Sequence, residues 1–357
     1  MKAETIQLRS GEVIAKSEIR TACFLYWGLI GDVFVRVAIL EAFKQAYPQT
    51  RITVVVDPQG KPVLENHPDV AEIYVLSRNK KPRLQYLRNM FRGVRYLHKQ
   101  HFDLSVNLYS GGSSPLLTQL MHARIRLGFD HSAALRKANN LLVQHPSLCK
   151  HWTKQLAVIL DPLGIPVSAV RQGTSFYCDQ AALDFAEKLF ADDAHDYVVI
   201  NLGARVAEKR WALSRFVALA AAINEKYKLC PLVLTNPGME DLAKEFCEQY
   251  RQYGYAKLVP LLPLNRVAAV MRRAKFIITG DTSIMHLSFG LKLPTLVLFT
   301  YTRPEIVAPS DCLHQDCFVE NPELRDECGN PMGSPDIPLA MALEKFDALY
   351  RRKLMFV

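Results

Sequence analysis

Apolar and polar positions along the chain repeat with two periods. Residues 21–27 (TACFLYW) form a short unbroken apolar run, the mark of a strand buried on both faces. GLIGD then leads into VFVRVAILEAFKQAYP, apolar at helical spacing and stopped by Pro48. A second strand is expected at 51–57 (RITVVVD), with others at 72–76 (EIYVL) and 103–108 (DLSVNL), separated by helical stretches. The opening signal returns at 196–202 (DYVVINL), followed by the loop GARVAEKRW, a helix over ALSRFVALAAAINEKY and the strand PLVLT. FIITG (276–280), a helix from about Thr282 and TLVLF (295–299) extend this second series, and LAMALEKFDALYRRKL reads as a terminal helix.

Strands alternating with helices predict α/β architecture: parallel sheets with crossovers, here two doubly wound halves joined near 165–180. The expected domains are 1–175 and 176–338, with a helix at 339–357 that could pack back toward the first domain. Open parallel sheets bind ligands beyond the carboxyl ends of their strands, so the site should draw on both halves across a central cleft.

A chain of 357 residues is long enough for two such cores, and 49% hydrophobic with 22% charged residues is ordinary globular usage. No apolar run reaches the roughly 18 residues of a membrane span; Asp281, His286 and Lys292 interrupt the most apolar stretch, 276–301. The first twenty residues carry Glu4, Glu12 and Glu18 and no apolar signal core, so a cytoplasmic location is expected. Eight cysteines are too dilute for a disulfide framework, and reduced thiols are expected. Cys312, Cys317 and Cys328, with His314 between them, contain no C-x-x-C pair and match no zinc spacing.

The net charge of +9 is unevenly placed. Through residue 178, Lys plus Arg number 23 and Asp plus Glu 12, a net of +11; the remainder has 21 against 23, or −2. The excess peaks between Arg78 and Lys99, where eight bases and no acid occur and Tyr86, Leu87, Met90, Phe91, Val94 and Leu97 recur at helical spacing. One reading is a solvated face over a core stripe. The other is a surface, formed by Lys80, Lys81, Arg83, Arg88, Arg92 and Arg95, that attracts anionic lipid or a phosphorylated substrate. No zinc-finger, basic-zipper or RNP signature points to nucleic acid.

Three motifs could carry chemistry. The turn Gly28-Leu29-Ile30-Gly31-Asp32 lies at a strand's carboxyl end, with Asp32 expected to begin the helix as either cap or catalyst. In the second motif, Gly203-Ala204-Arg205 to Lys209-Arg210-Trp211, three cations before a helix suit an anion, although a basic loop anchored by Trp211 would look the same. The third is Gly280-Asp281-Thr282-Ser283 with His286 one turn on, an oxyanion cradle in which Asp281 is expected to cap the helix. Neither G-x-G-x-x-G nor a Walker pattern occurs, which disfavours dehydrogenase and P-loop chemistry. No Asp-x-Asp occurs either, so cations and helix ends must neutralise any diphosphate.

In this order and separation, GLIGDVF (28–34), GARVAEKRW (203–211) and GDTSIMHLSFGLKLPTLVLF (280–299), together with QAYP (45–48) and NHPDV (66–70), resemble glycosyltransferase family 9, the ADP-heptose:lipopolysaccharide heptosyltransferases. The resemblance implies a GT-B fold of two Rossmann-like domains, an inverting glycosyltransferase and no metal or other cofactor. It makes Asp32 the catalytic base, sets Lys209 against the donor's phosphates or sugar, and lines the diphosphate site with Asp281, Thr282 and His286. Departures occur: Val37-Ala38 replaces the usual Thr-Pro, Ser283 the usual Gly, and FTYTRP (299–304) the usual FGPTDP. The partners implied are ADP-heptose, an acidic lipopolysaccharide core acceptor and the anionic cytoplasmic face of the inner membrane, with the basic half toward the last two. Two alternatives are open: a relative using a hexose or N-acetylhexosamine nucleotide, and a non-catalytic sugar or nucleotide binder.

Overall fold

Ala22 to Trp27 are all fully buried, as an uninterrupted apolar run requires of a strand covered on both faces. In the computed structural model, which describes residues 4–109, 112–144, 151–203 and 210–355, that run is the strand Thr21–Tyr26. The chain divides into two compact units, Met1–Thr174 and Ser175–Val357.

The first unit holds six parallel strands in the order Glu72–Val75, Arg51–Val56, Thr21–Tyr26, Leu104–Asn107, Ile125–Asp130, Leu141–Gln144. All five pairings are parallel. Read in chain order this is 3-2-1-4-5-6, the doubly wound arrangement, with its switch point between the first and fourth strands. The helix Ile30–Ala46 buries nearly every residue from Val33 to Phe43, so its pattern is apolar almost all round. A short antiparallel hairpin, Thr5–Gln7 with Val13–Ala15, precedes the sheet.

The second unit repeats the order with Lys257–Val259, Cys230–Leu234, Tyr197–Asn201, Phe276–Gly280, Thr295–Phe299 and His314–Phe318, again wholly parallel. The terminal helix Leu339–Met355 packs within this unit. Phe346 and Leu349 are fully buried, and the Phe346 ring lies 5.2 Å from that of Phe276. Among the described residues, no helix is long and apolar enough to cross a membrane.

Candidate active site

In the first unit the chain leaves its central strand through Trp27 and Gly28. The helix begins at Ile30 with Leu29 as N-cap, so Asp32 does not open the helix as expected but stands at its third position. Leu29 has no side-chain acceptor to offer. The capping contact is therefore reversed: Asp32 Oδ2 accepts the Leu29 backbone N–H at 2.7 Å. Asp32 is half-buried, so the contact does not seal its carboxylate from solvent. The approach is possible because residue 28 lacks a side chain: Gly28 has φ +145°, and a Cβ there would lie 2.4 Å from Asp32 Oδ2.

The same turn is tied to a cavity of about 580 Å³. Gly28 N–H donates to Asp57 Oδ2 at 3.4 Å, and Gln59 Nε2 donates to the Gly28 carbonyl at 3.1 Å. Asp57, at the carboxyl end of strand Arg51–Val56, also accepts from Arg78 Nε at 3.0 Å and Nη2 at 2.7 Å, a two-pronged charged contact. The Arg78 guanidinium lies 4.6 Å from the Tyr109 ring centroid and 5.3 Å from that of Trp27. Asp57, Gln59, Arg78, Lys80, Tyr86 and Tyr109 line the cavity, which is thus polar, aromatic and basic.

One turn beyond Asp32, Arg36 is 7% exposed; its Nη1 donates to the Trp27 carbonyl, and its buried Nε has no hydrogen-bond partner among the described residues. Burial pulls its guanidinium below the ordinary value, and the Asp32 carboxylate opposes that pull. A buried cation one turn behind a carboxylate is an electrostatic feature that the apolar pattern of this helix conceals.

In the second unit the switch point lies between Tyr197–Asn201 and Phe276–Gly280. Asn201, 1% exposed, donates through Nδ2 to Thr279 Oγ1 at 2.8 Å and Thr282 Oγ1 at 3.1 Å, while its Oδ1 accepts from Asn236 Nδ2 at 2.7 Å. This network fixes Thr282 at the start of helix Ser283–Gly290, whose Ile284 N–H donates to the Thr282 hydroxyl at 3.3 Å. Thr282, not Asp281, is the cap. The extended backbone at Thr282 (φ −130°, ψ 177°) aims its side chain at the free helical amides. Asp281 turns away and accepts from Thr302 N–H at 2.8 Å and the Thr300 hydroxyl at 3.3 Å.

Burial raises the Asp281 pKa above the ordinary carboxylate value, against the hydrogen bonds from Thr302 and Thr300. A folded-state pKa raised for an acid means that the ionised form costs stability above that pKa, and the cost disappears below the unfolded value. Asp281→Asn is accordingly expected to raise the melting temperature at pH 7, because an amide carries no such ionisation cost. The gain should shrink as pH falls toward the ordinary carboxylate range. Melting curves at several pH values check this, and a variant that is less stable at neutral pH would refute it.

Of the other expected site residues, Ser283 opens the helix, His286 is 8% exposed within it, and Arg210 is half-buried. Ala204, Arg205 and Lys209 lie outside the described residues. Trp211 is a core anchor, 3% exposed, with Nε1 donating to the Ile337 carbonyl at 2.8 Å. Cys312 and Cys317 are free thiols pushed up to about 12 by burial. Cys328 is disulfide-bonded, so the expectation of reduced thiols fails at that position. Among the described residues, no group of three or more His, Cys, Asp or Glu could hold a metal ion.

The basic segment forms the helix Arg83–Lys99. Tyr86, Met90, Val94 and Leu97 pack against the sheet, but Leu87 and Phe91, expected in the same stripe, point outward with Leu84. Gly93 lies on the sheet-facing side, buried, where a Cβ would stand 3.1 Å from Leu76 Cδ1, so its lack of a side chain suits the close approach. Lys80 reaches the cavity, while Lys81, Arg83, Arg88, Arg92 and Arg95 are exposed.

Sequence reasoning missed Arg36, Asp57, Asn201 and Asn236. Two of them carried a signal, because Asp57 ends the run RITVVVD and Asn201 interrupts DYVVINL, each where a parallel strand presents its carboxyl end.

A family model described as glycosyltransferase family 9 (heptosyltransferase) matches residues 90–328. The chain is similar to lipopolysaccharide heptosyltransferase 3 of Escherichia coli, 25% identical over 280 residues, covering 76% of this chain and 81% of the relative. Among solved structures it resembles a family 9 glycosyl transferase from Veillonella parvula, with a TM-score of 0.82 and 20% identity, covering 94% of this chain and 99% of that one. It also resembles the E. coli ADP-heptose lipopolysaccharide heptosyltransferase II, with a TM-score of 0.77 and 15% identity, covering 93% and 99%. Both structural likenesses carry the two-domain, Rossmann-like GT-B fold.

Proposed function

Because the chain belongs to glycosyltransferase family 9, the heptosyltransferases, we propose that it moves a heptose from ADP-heptose to the inner core of lipopolysaccharide, with inversion and without a metal ion. That it is a glycosyltransferase follows from the family; heptose and lipopolysaccharide are supported by the name of the E. coli relative. One observation carries the mechanistic part. The half-buried Asp32 carboxylate stands on a turn whose Gly28 is bonded to Asp57 and Gln59, two residues of a basic, aromatic cavity suited to an acidic sugar.

In this reading Asp32 takes the proton of the acceptor hydroxyl as that oxygen bonds to the anomeric carbon. The bond from that carbon to the diphosphate breaks, its electron pair leaves with ADP, and attack from the opposite face inverts configuration. The departing charge is stabilised by Lys209 with Arg205 or Arg210, and by N–H groups at the start of helix Ser283–Gly290. Arg78 and Lys80 give the cavity its preference for an anionic acceptor. The basic first half would also be drawn to an anionic membrane, which supports a peripheral position at the cytoplasmic face of the inner membrane.

The test is ADP release dependent on acceptor, measured across ADP-heptose, UDP-hexoses, UDP-N-acetylhexosamines and GDP-sugars. Turnover with ADP-heptose alone supports the proposal, and a preference for a hexose nucleotide overturns it. Lys209→Ala should weaken nucleotide binding as well as turnover. Unchanged ADP affinity by calorimetry would remove Lys209 from the donor site.

A further inference from the structure

Helix Arg83–Lys99 exposes its largest apolar side chains in one row: Leu84 is 82% exposed, Leu87 52% and Phe91 68%. Their spacing of three and four residues puts them on a single outward stripe. The opposite stripe is committed, since Met90 and Leu97 are buried and the Tyr96 ring stacks on Tyr74 at 4.4 Å. The row therefore cannot turn inward without breaking the packing that fixes the helix. Exposed Arg88, Arg92 and Arg95 run along one edge of this stripe, with Arg83 on the other side and Lys80 and Lys81 just before the helix.

We propose that this helix lies in the interface of an anionic bilayer, with Leu84, Leu87 and Phe91 inserted among the acyl chains and the arginines at headgroup level. The inference deepens the peripheral-membrane part of the proposed function by naming the side chains that enter the lipid. Charge chooses the occupant: a second copy docked symmetrically on this face would bring two sets of arginines together, whereas an anionic lipid surface satisfies them. A functional link follows from sequence order. Ser77, Arg78, Asn79, Lys80 and Tyr86, which line the cavity, belong to the segment that leads into and begins this helix. A lipid-anchored acidic sugar could then reach the cavity while its acyl chains stay in the bilayer.

The test is co-sedimentation of the full chain with phosphatidylcholine vesicles containing about a third phosphatidylglycerol, at low and high salt. The wild-type protein should bind, and part of the binding should persist at high salt, where charge attraction is screened. The combined variant Leu84→Ser, Leu87→Ser, Phe91→Ser should lose binding at least about tenfold, including all of the salt-resistant part. It should keep its turnover on a soluble, delipidated oligosaccharide acceptor, because none of the three side chains belongs to the site. Equal binding by variant and wild type would overturn the inference. So would a wild-type protein that ignores these vesicles yet forms a concentration-dependent dimer abolished in the variant. Vesicle binding requires neither donor nor acceptor, so a wrong assignment of the donor sugar leaves this result intact.

Discussion

Asp32→Asn is expected to lower turnover by about 10² to 10⁴, the usual worth of a positioned general base, while leaving ADP affinity nearly unchanged. Asparagine is the informative replacement because Asp32 caps the helix and, in the proposed mechanism, is also the base, and alanine would confuse the two. Its Oδ2 closes the helix by accepting the Leu29 N–H at 2.7 Å, and an amide oxygen can make the same contact. Asparagine therefore preserves the capping bond and removes only the basicity. Asp32→Ala removes both, and should add a loss of about 0.5 to 2 kcal/mol in stability to the same kinetic defect. Steady-state turnover, calorimetry with ADP and a melting curve on each variant separate the terms. Near-normal turnover in Asp32→Asn would reduce Asp32 to a cap.

Gly28→Ala should damage both stability and turnover, although residue 28 has no chemistry of its own. Its φ of +145° is a conformation that costs a residue with a Cβ about 1 to 3 kcal/mol. The methyl group would also stand 2.4 Å from Asp32 Oδ2 and 2.8 Å from Asp32 Cβ, so the carboxylate must move. Displacing a reacting group by about 1 Å can cost on the order of 10²-fold in rate. Gly11→Ala is the control, since Gly11 has φ +87° but, among the described residues, nothing within 4 Å of an added Cβ. That variant should show the backbone penalty and keep its turnover. Denaturant unfolding and kinetics on both variants decide the matter. If Gly28→Ala retained full turnover, the position of the Asp32 carboxylate would not matter to the reaction.

Legibility differed among elements for identifiable reasons. The strands Thr21–Tyr26, Arg51–Val56 and Tyr197–Asn201 lie inside their sheets, where burial on both faces leaves an unbroken apolar run. His314–Phe318 and Lys257–Val259 are edge strands, and their sequences HQDCF and KLV carry too little apolar signal to be read. Ile125–Asp130 (IRLGFD) pairs on both sides, yet Arg126 and Gly128 break its run. The glycine turns of the site were visible, because glycine followed by an acid or hydroxyl before a helix is a local pattern.

The order of apolar runs and periodic segments, the three turns and the charge imbalance between halves were determined by the sequence itself, since each depends on residues adjacent in the chain. Tertiary structure alone decided how those residues are used. Arg36 became a buried cation beside Asp32, Asp57 bound Arg78 across 21 positions, and Thr282 displaced Asp281 as cap. Packing of Met90, Gly93 and Leu97 inward left Leu84, Leu87 and Phe91 on the outward side of helix Arg83–Lys99. Such outcomes depend on which surfaces meet after folding, and close packing there settles rotations and partners that the periodicity of one segment leaves open.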